Sequence, residues 1–307
     1  MLIRLFRKLR MILYCALIVV LFILREYAVS ENISNTEKAP ERIVVFPLFA
    51  EEIIYELVEE ERVIYVGHPY IEAGESYWPS MAVSKNSSGR NWQNTGEEQI
   101  LSLDPDLLII DLSIQEDYKT IFPLLSTARV PVLFVSAPES SEDIVHLIYD
   151  LGKMLQEQGK ANILIRKLET SLKHINLFTR FICCEERKTV VLYGEYNEFF
   201  DLVANISMVN SYYCTDDQSI DAQVAFLMDK APDLIIVLPY CTDDGLLFSI
   251  GEKYSDREIL RIKMLFEDYN IAAIRDDNIV ALDFHGSQYI VNSVVNLIEI
   301  AYPNLLK

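Results

Sequence analysis

Glycine is scarce, at ten positions in 307 residues. A loop that cradles phosphate needs several glycines close together, because only a residue without Cβ lets the backbone close on the anion. Dinucleotide and nucleotide chemistry therefore has little to work with. The chain also lacks a Gly-x-Ser-x-Gly elbow and any helix motif of metal ligands, so the usual signatures of hydrolase and metalloprotease chemistry are missing. Histidine occurs four times, at His68, His146, His174 and His285, without clustering; a dedicated zinc site would call for three or four ligands. Basic residues are few, with Lys and Arg at 27 against 46 Asp and Glu, for a net charge of −19. No basic stripe follows the first dozen residues, which argues against nucleic acid as a partner. Of the five cysteines, Cys183, Cys184, Cys214 and Cys241 fit no zinc spacing. A Cys214–Cys241 bridge in an oxidising compartment and ordinary buried thiols are the two readings left for them.

What is present is a repeat. Pro105-Asp106-Leu107-Leu108-Ile109-Ile110 is echoed by Pro232-Asp233-Leu234-Ile235-Ile236-Val237 at an offset of 127 residues. Each copy follows an amphipathic stretch, so each reads as a helix, a Pro-Asp turn and an aliphatic strand. The strands lack alternation, as expected where both faces are covered. One such unit per half predicts two similar α/β lobes with a ligand cleft at the strand ends. A single large α/β domain is the competing reading.

The amino terminus reads as an export signal. Arg4, Arg7, Lys8 and Arg10 precede an uncharged apolar run of 14 residues, Met11 to Leu24, and Ala28-Val29-Ser30 offers a cleavage site. The run is short against the ~20 residues of a membrane span, although an uncleaved anchor stays open. Removing residues 1–30 would take away five positive charges and one negative, moving the net charge from −19 to −23. The predicted division is then a signal or anchor over 1–30, a polar tether over 31–41, a first lobe over 42–155, a connecting helix over 156–185 and a second lobe over 186–307. Strands are predicted at 43–46, 63–66, 107–110, 132–135, 189–193, 234–238 and 279–282. Helices are predicted at 51–58, 97–103, from Ser140 onward, after a break near Gly159 (with Ile163, Leu164, Leu168, Leu172 and Ile175 on the packed face) and at 289–301. Strand–helix alternation indicates parallel sheets.

Several pieces resemble a known family. They are Arg42-Ile43-Val44-Val45-Phe46-Pro47 with Glu52-Ile53, Arg62-Val63-Ile64-Tyr65-Val66-Gly67, Glu98 through Leu107, and Val130-Pro131-Val132-Leu133. In order and spacing they resemble the periplasmic binding proteins that serve ATP-driven importers of iron–siderophores, haem and vitamin B12. That resemblance implies two Rossmann-like lobes joined by one long helix, with ligand held between them. It also implies a docking glutamate in each lobe, seven residues before the Pro-Asp pair, for arginines of the membrane permease. Glu98 matches; the second position is Ala225, and Asp221 one turn earlier is either its substitute or a helix cap. Corrinoid binders of the family carry a Trp six residues before the docking Glu, where Trp92 stands.

Candidate ligand contacts follow. Both tryptophans, Trp78 and Trp92, fall in the loop 68–96 with Tyr70, Tyr77 and Arg90. Flat aromatic faces suit a macrocycle or a siderophore rim, and Arg90 is either a carboxylate clamp or a surface residue. From the second lobe come Tyr196, Tyr240 and His285, whereas Phe199 and Phe200 read as packing. His146 and His174 read as solvated helix residues. The sequence thus predicts a monomeric, non-enzymatic, periplasmic or otherwise extracytoplasmic solute-binding protein. It has no cofactor of its own, its ligand is an iron or cobalt chelate, and its macromolecular partners are permease subunits. Two alternatives stand beside this: a membrane-anchored sensor that no longer serves transport, and a bare divalent-metal binder using His68 and His285.

Overall fold

The aliphatic runs form two parallel sheets. In the computed structural model the described residues are 38–66, 97–115, 118–128, 130–194, 197, 199–215, 218–238, 252–282, 284 and 286–305. The first sheet holds β1 (Ile43–Val45), β2 (Val63–Val66), β3 (Leu107–Asp111) and β4 (Val132–Val135), in the order β2-β1-β3-β4. The second holds β5 (Thr189–Tyr193), β6 (Asn210–Cys214), β7 (Leu234–Val237) and β8 (Ile279–Ala281), in the order β6-β5-β7-β8. The two orders are the same pattern used twice, and every pairing is parallel. Parallel neighbours need crossover connections, and helices supply them: α1 (Leu48–Leu57), α2 (Glu97–Ser102), α3 (Tyr118–Ile121) and α4 (Pro123–Thr127) in the first lobe. The second lobe has α7 (Phe200–Ile206), α8 (Ile220–Lys230), α9 (Glu252–Phe266), α10 (Ala272–Arg275) and α11 (Ile290–Ala301).

Alternate residues of each strand enter different cores. Ile43, Val45, Leu107 and Ile109 of the first sheet share one cluster with Val190, Leu192, Leu234 and Ile236 of the second. Their neighbours Val44, Leu108 and Ile110 pack into a separate outer layer, as Val191, Ile235 and Val237 do in the other lobe. This explains the runs without alternation: both faces of these strands are covered. The shared central core also takes in α1, α5 (Ser141–Met154), α6 (Gln158–Thr179), α7 and α11.

The Pro-Asp repeat is a clamp as well as a turn. The residue before each proline is left-handed, Asp104 at φ 50° and Ala231 at φ 44°, and it ends the preceding helix. The aspartate then reaches across to the neighbouring strand. Asp106 accepts from the amides of Glu41 and Arg42 (2.8 and 2.9 Å) at the start of β1. Asp233 accepts from the amide of Thr189 (2.9 Å) at the start of β5 and pairs with Lys188 (2.9 Å).

The connector breaks at Leu155–Glu157, where Gln156 has φ 59°, slightly before Gly159, which lies inside α6. Gly152 allows α5 and α6 to close, since a Cβ there would overlap that of Ala161. Arg62 spans the break through Glu157 (3.0 Å) and the Pro40 carbonyl (2.8 Å). Lys160 caps α1 at the Leu57 carbonyl (2.8 Å). Along α6 the buried residues are Ala161, Leu164, Leu168, Ile175 and Thr179. Ile163, expected on the packed face, is 57% exposed, because it lies one position off that stripe. Among the described residues no helix is long and apolar enough to cross a membrane; the signal or anchor at 1–30 and most of the tether lie outside them.

Candidate functional site

The lobes meet at the carboxyl ends of their strands. α1 begins two residues after β1, α7 follows the turn after β5, and α11 follows the turn after β8. The first residues of these helices touch. Phe49 and Phe199 are buried edge to face with ring centroids 6.1 Å apart. Gly286 lies directly against Phe199, where any Cβ would fall inside the ring's van der Waals surface. Ser287 then donates its hydroxyl to the Glu52 carboxylate and accepts from the Tyr289 amide (3.2 Å). Gln288 Nε2 donates to the Glu52 carbonyl (3.0 Å), and the Tyr289 hydroxyl donates to Glu56 (2.7 Å). One face of α1 is thus stitched to the turn that opens α11.

Two adjacent acids in the first turns of α1 are buried, Glu51 at 5% exposure and Glu52 at 1%. Burial, and secondarily the Glu52 charge, pushes the Glu51 carboxyl from 4.5 up to about 8. Glu51 therefore holds its proton at neutral pH. Its Oε2 and the Oε1 of Gln288 are buried without a hydrogen-bond partner. Burial also raises Tyr55, with Glu51 and Glu60 adding to it. The result is a buried contact between the lobes in which two polar oxygens keep no hydrogen-bond partner. Among the described residues no group of three or more His, Cys, Asp or Glu is placed to hold a metal ion.

The ligand contacts expected from sequence, Tyr70, Tyr77, Trp78, Arg90, Trp92, Tyr196, Tyr240 and His285, lie outside the described residues, as does His68. The described residues that flank them in sequence are Val66 and Glu97, Gly194 and Asn197, Leu238, and Phe284 and Gly286; Val66, Gly194, Leu238 and Phe284 lie at or after carboxyl ends of strands. Phe199 and Phe200 are buried packing residues, and His146 and His174 are exposed on α5 and α6, as expected. Cys214 is buried, but Cys183 and Cys184 are exposed. The expectation of buried thiols fails for them because they sit in the turn that leaves α6. Cys241 lies outside the described residues.

The docking candidates are better defined. Glu98 is exposed at the second position of α2, while Glu97 beside it turns inward to accept from the Leu125 amide (2.7 Å) near the start of α4. Asp221 is exposed at the second position of α8. Ser219 caps that helix, accepting from Ala222 (3.3 Å), so capping is not the role of Asp221. Counting back seven residues from Pro232 leads to Ala225. The Glu51–Glu52 pair and the Ser287–Tyr289 turn were not recognised as a site in the sequence. Their signal was two carboxylates within the otherwise apolar stretch Leu48-Phe49-Ala50-Glu51-Glu52-Ile53-Ile54.

Solved structures share this architecture. A periplasmic heme-binding protein from Pseudomonas aeruginosa superposes with a TM-score of 0.64 at 17% identity, over 87% of this chain and 94% of that one. The periplasmic heme-binding protein RhuT from Roseiflexus sp. RS-1 gives 0.62 at 20% identity, over 86% and 98%. The molybdate-binding MolA of Haemophilus influenzae gives 0.63 at 14% identity, over 88% and 89%. The chain has the fold of a periplasmic solute-binding protein. No protein-family model matches the sequence, and no curated protein is similar to it.

Proposed function

We propose that this chain is the extracytoplasmic solute-binding component of an ATP-driven importer, capturing a metal chelate and passing it to the membrane permease. One observation carries the reading: two lobes of identical strand order meet at their carboxyl ends, and the segment 68–96, which holds both tryptophans, attaches there. Neighbours named as heme and molybdate binders support capture and not catalysis; haem, a ferric siderophore and cobalamin are the candidate ligands. In this reading Tyr70, Tyr77, Trp78, Arg90 and Trp92 line the first lobe and Tyr196, Tyr240 and His285 the second. Glu98 and Asp221 face the permease. The working division is a first lobe over 42–155, a connector over 156–185 and a second lobe over 186–307.

Tryptophan-fluorescence titration of the full chain with haem, cobalamin and ferric siderophores tests this. Saturable quenching by one of them at about micromolar concentration or below is the expected result. Trp92→Ala should weaken that binding by roughly 1–3 kcal/mol. Absence of quenching across the panel would favour a non-transport sensor, a reading to which the apolar run 11–24 and Ala225 lend weight.

A further inference from the structure

The outward face of α6 carries cations in a chain that is otherwise short of them. Between Gln158 and Phe181 there are five basic residues, Lys160, Arg166, Lys167, Lys173 and Arg180, against one acid, Glu169, a local balance of +4. The whole chain stands at −19, so the remainder carries −23. Lys160 is taken up by Glu59 (3.2 Å) and Glu157 (3.5 Å). Arg166, Lys167, Lys173 and Arg180 are exposed and form no ion pair with a described residue. At 3.6 residues per turn, the buried stripe of the helix lies opposite Ile163, Arg166, Thr170, Lys173, His174 and Leu177, all exposed. Glu169 falls at the border of that face.

Apolar side chains stand among these charges. Ile163 is exposed near the start of α6; at its end Leu177 and Phe178 are each 45% exposed and Phe181 is 66% exposed. Arg180 lies over the Phe181 ring, 4.6 Å from its centroid. A protein interface gathers its apolar residues at the centre and depletes charge there. Here the order is reversed: Arg166, Thr170 and Lys173 hold the middle, and the apolar residues hold the two ends. Cations beside protruding aromatic and aliphatic tips suit anionic headgroups with acyl chains behind them.

The place where the chain joins the fold points the same way. Arg62 holds the Pro40 carbonyl (2.8 Å), the Leu155 carbonyl (3.3 Å) and the Glu157 carboxylate (3.0 Å), so residue 40 lies beside the first turn of α6. The apolar run 11–24 ends 16 residues before Pro40, and a span of that length reaches at most about 55 Å. A chain held by that run therefore keeps α6 close to the membrane surface.

We propose that the outward face of α6 rests on an anionic phospholipid surface, with Arg166, Lys167, Lys173 and Arg180 against the phosphates and Phe178 and Phe181 inserted below them. The inference takes from the transport reading only that the chain works outside the cytoplasm. Both ends of α6 lie at the amino ends of the sheets. It starts beside the last turn of α1, whose Leu57 carbonyl accepts from Lys160 (2.8 Å), and it ends ten residues before β5 begins. The lobes meet at the carboxyl ends, so a chain resting on α6 turns that junction away from the lipid.

The test is co-sedimentation of the full chain with vesicles of phosphatidylglycerol and phosphatidylcholine in equal parts, against phosphatidylcholine alone, at about 0.1 M salt. Binding to the anionic vesicles should be at least about tenfold stronger. The difference should vanish near 1 M salt, where the screening length falls from ~10 to ~3 Å. Arg166→Gln/Lys167→Gln/Lys173→Gln should lower anionic binding about tenfold, and Phe178→Ser/Phe181→Ser by a similar factor. The basic amino terminus is controlled for in a chain carrying Arg4→Gln, Arg7→Gln, Lys8→Gln and Arg10→Gln, where both losses should persist. The α6 side chains are exposed, so their variants should keep the parent's melting temperature. Equal binding to both vesicles, or α6 variants that bind like the parent, would overturn the proposal. So would vesicles left unbound while membranes holding the importer retain the chain through the same residues, which would assign the face to a protein. Haem titration in solution runs separately: saturable quenching with no vesicle binding would sink this inference and leave the transport reading standing.

Discussion

Glu51 is an acid kept neutral by its position. Its carboxyl is raised to about 8 by burial and then by Glu52, so between 4.5 and that value the folded chain holds a proton that the unfolded chain has released. Stability conferred by this group is complete below the unfolded value and is lost as pH rises through the folded one. The shift corresponds to roughly 5 kcal/mol across the window, as an upper figure. Thermal melts from about pH 5 to about pH 9 should show stability falling from the acid end until about pH 8 and levelling off above it in the parent. Glu51→Gln should flatten that decline and melt higher at the alkaline end; an unchanged profile would remove Glu51 as its source. At the same scale, Asp106 and Asp233 each anchor the start of a neighbouring strand through backbone amides. Replacement by Ala should cost about 1–2 kcal/mol in urea unfolding. Lys188→Ala should cost less than about 0.5 kcal/mol, because its ion pair with Asp233 is over 40% exposed on both sides. A reversed order would mean that charge pairing, not the amide contact, holds the clamp. The repeat itself was plain in the sequence, but the aspartate's reach was not, because a hydrogen bond spanning 44 or 64 residues leaves no local pattern.

Among the elements, the easiest to read were those with one buried stripe. Ser140 caps α5 as expected, and Ile144, Leu147, Ile148, Leu151 and Leu155 are all buried. β6 was missed because it is an edge strand of half-buried polar and aromatic residues, Asn210-Ser211-Tyr212-Tyr213-Cys214, with no aliphatic run. α1 begins at Leu48, three residues earlier than predicted, since the chain turns into helix directly after Pro47. The stitching of α1 to the α11 turn escaped altogether, as it depends on which loops share an edge of the fold. Gly286 is its most sensitive position. Gly286→Ala should force Phe199 aside and cost about 1–3 kcal/mol, measured by denaturant midpoint. Combining it with Phe199→Leu should recover part of that loss. A neutral single variant would show that the lobes are not packed as described at this turn.

At the scale of the molecule, each lobe presents an exposed acid on a helix, Glu98 on α2 and Asp221 on α8. If these dock the permease, Glu98→Ala and Asp221→Ala should each reduce uptake in cells by about tenfold or more and leave ligand affinity untouched. Uptake that persists in the double variant would sink the docking role. The two-lobed architecture could be read from the repeat. The shared core between the lobes could not, since it joins faces whose partners lie in different halves.

That shared core has a consequence for how the protein is made. A chain leaving the ribosome emerges from its amino end, and its first sheet could pair as soon as β4 is out. Yet the inner face of that sheet and of α1 is completed by α11, with Val294, Leu297 and Ile298 in the same cluster as Ile43 and Ile53. A half-delivered molecule therefore shows wet aliphatic surface on a lobe whose own strands are finished. That surface alone distinguishes an incomplete copy from a complete one, and it is the last helix that withdraws it.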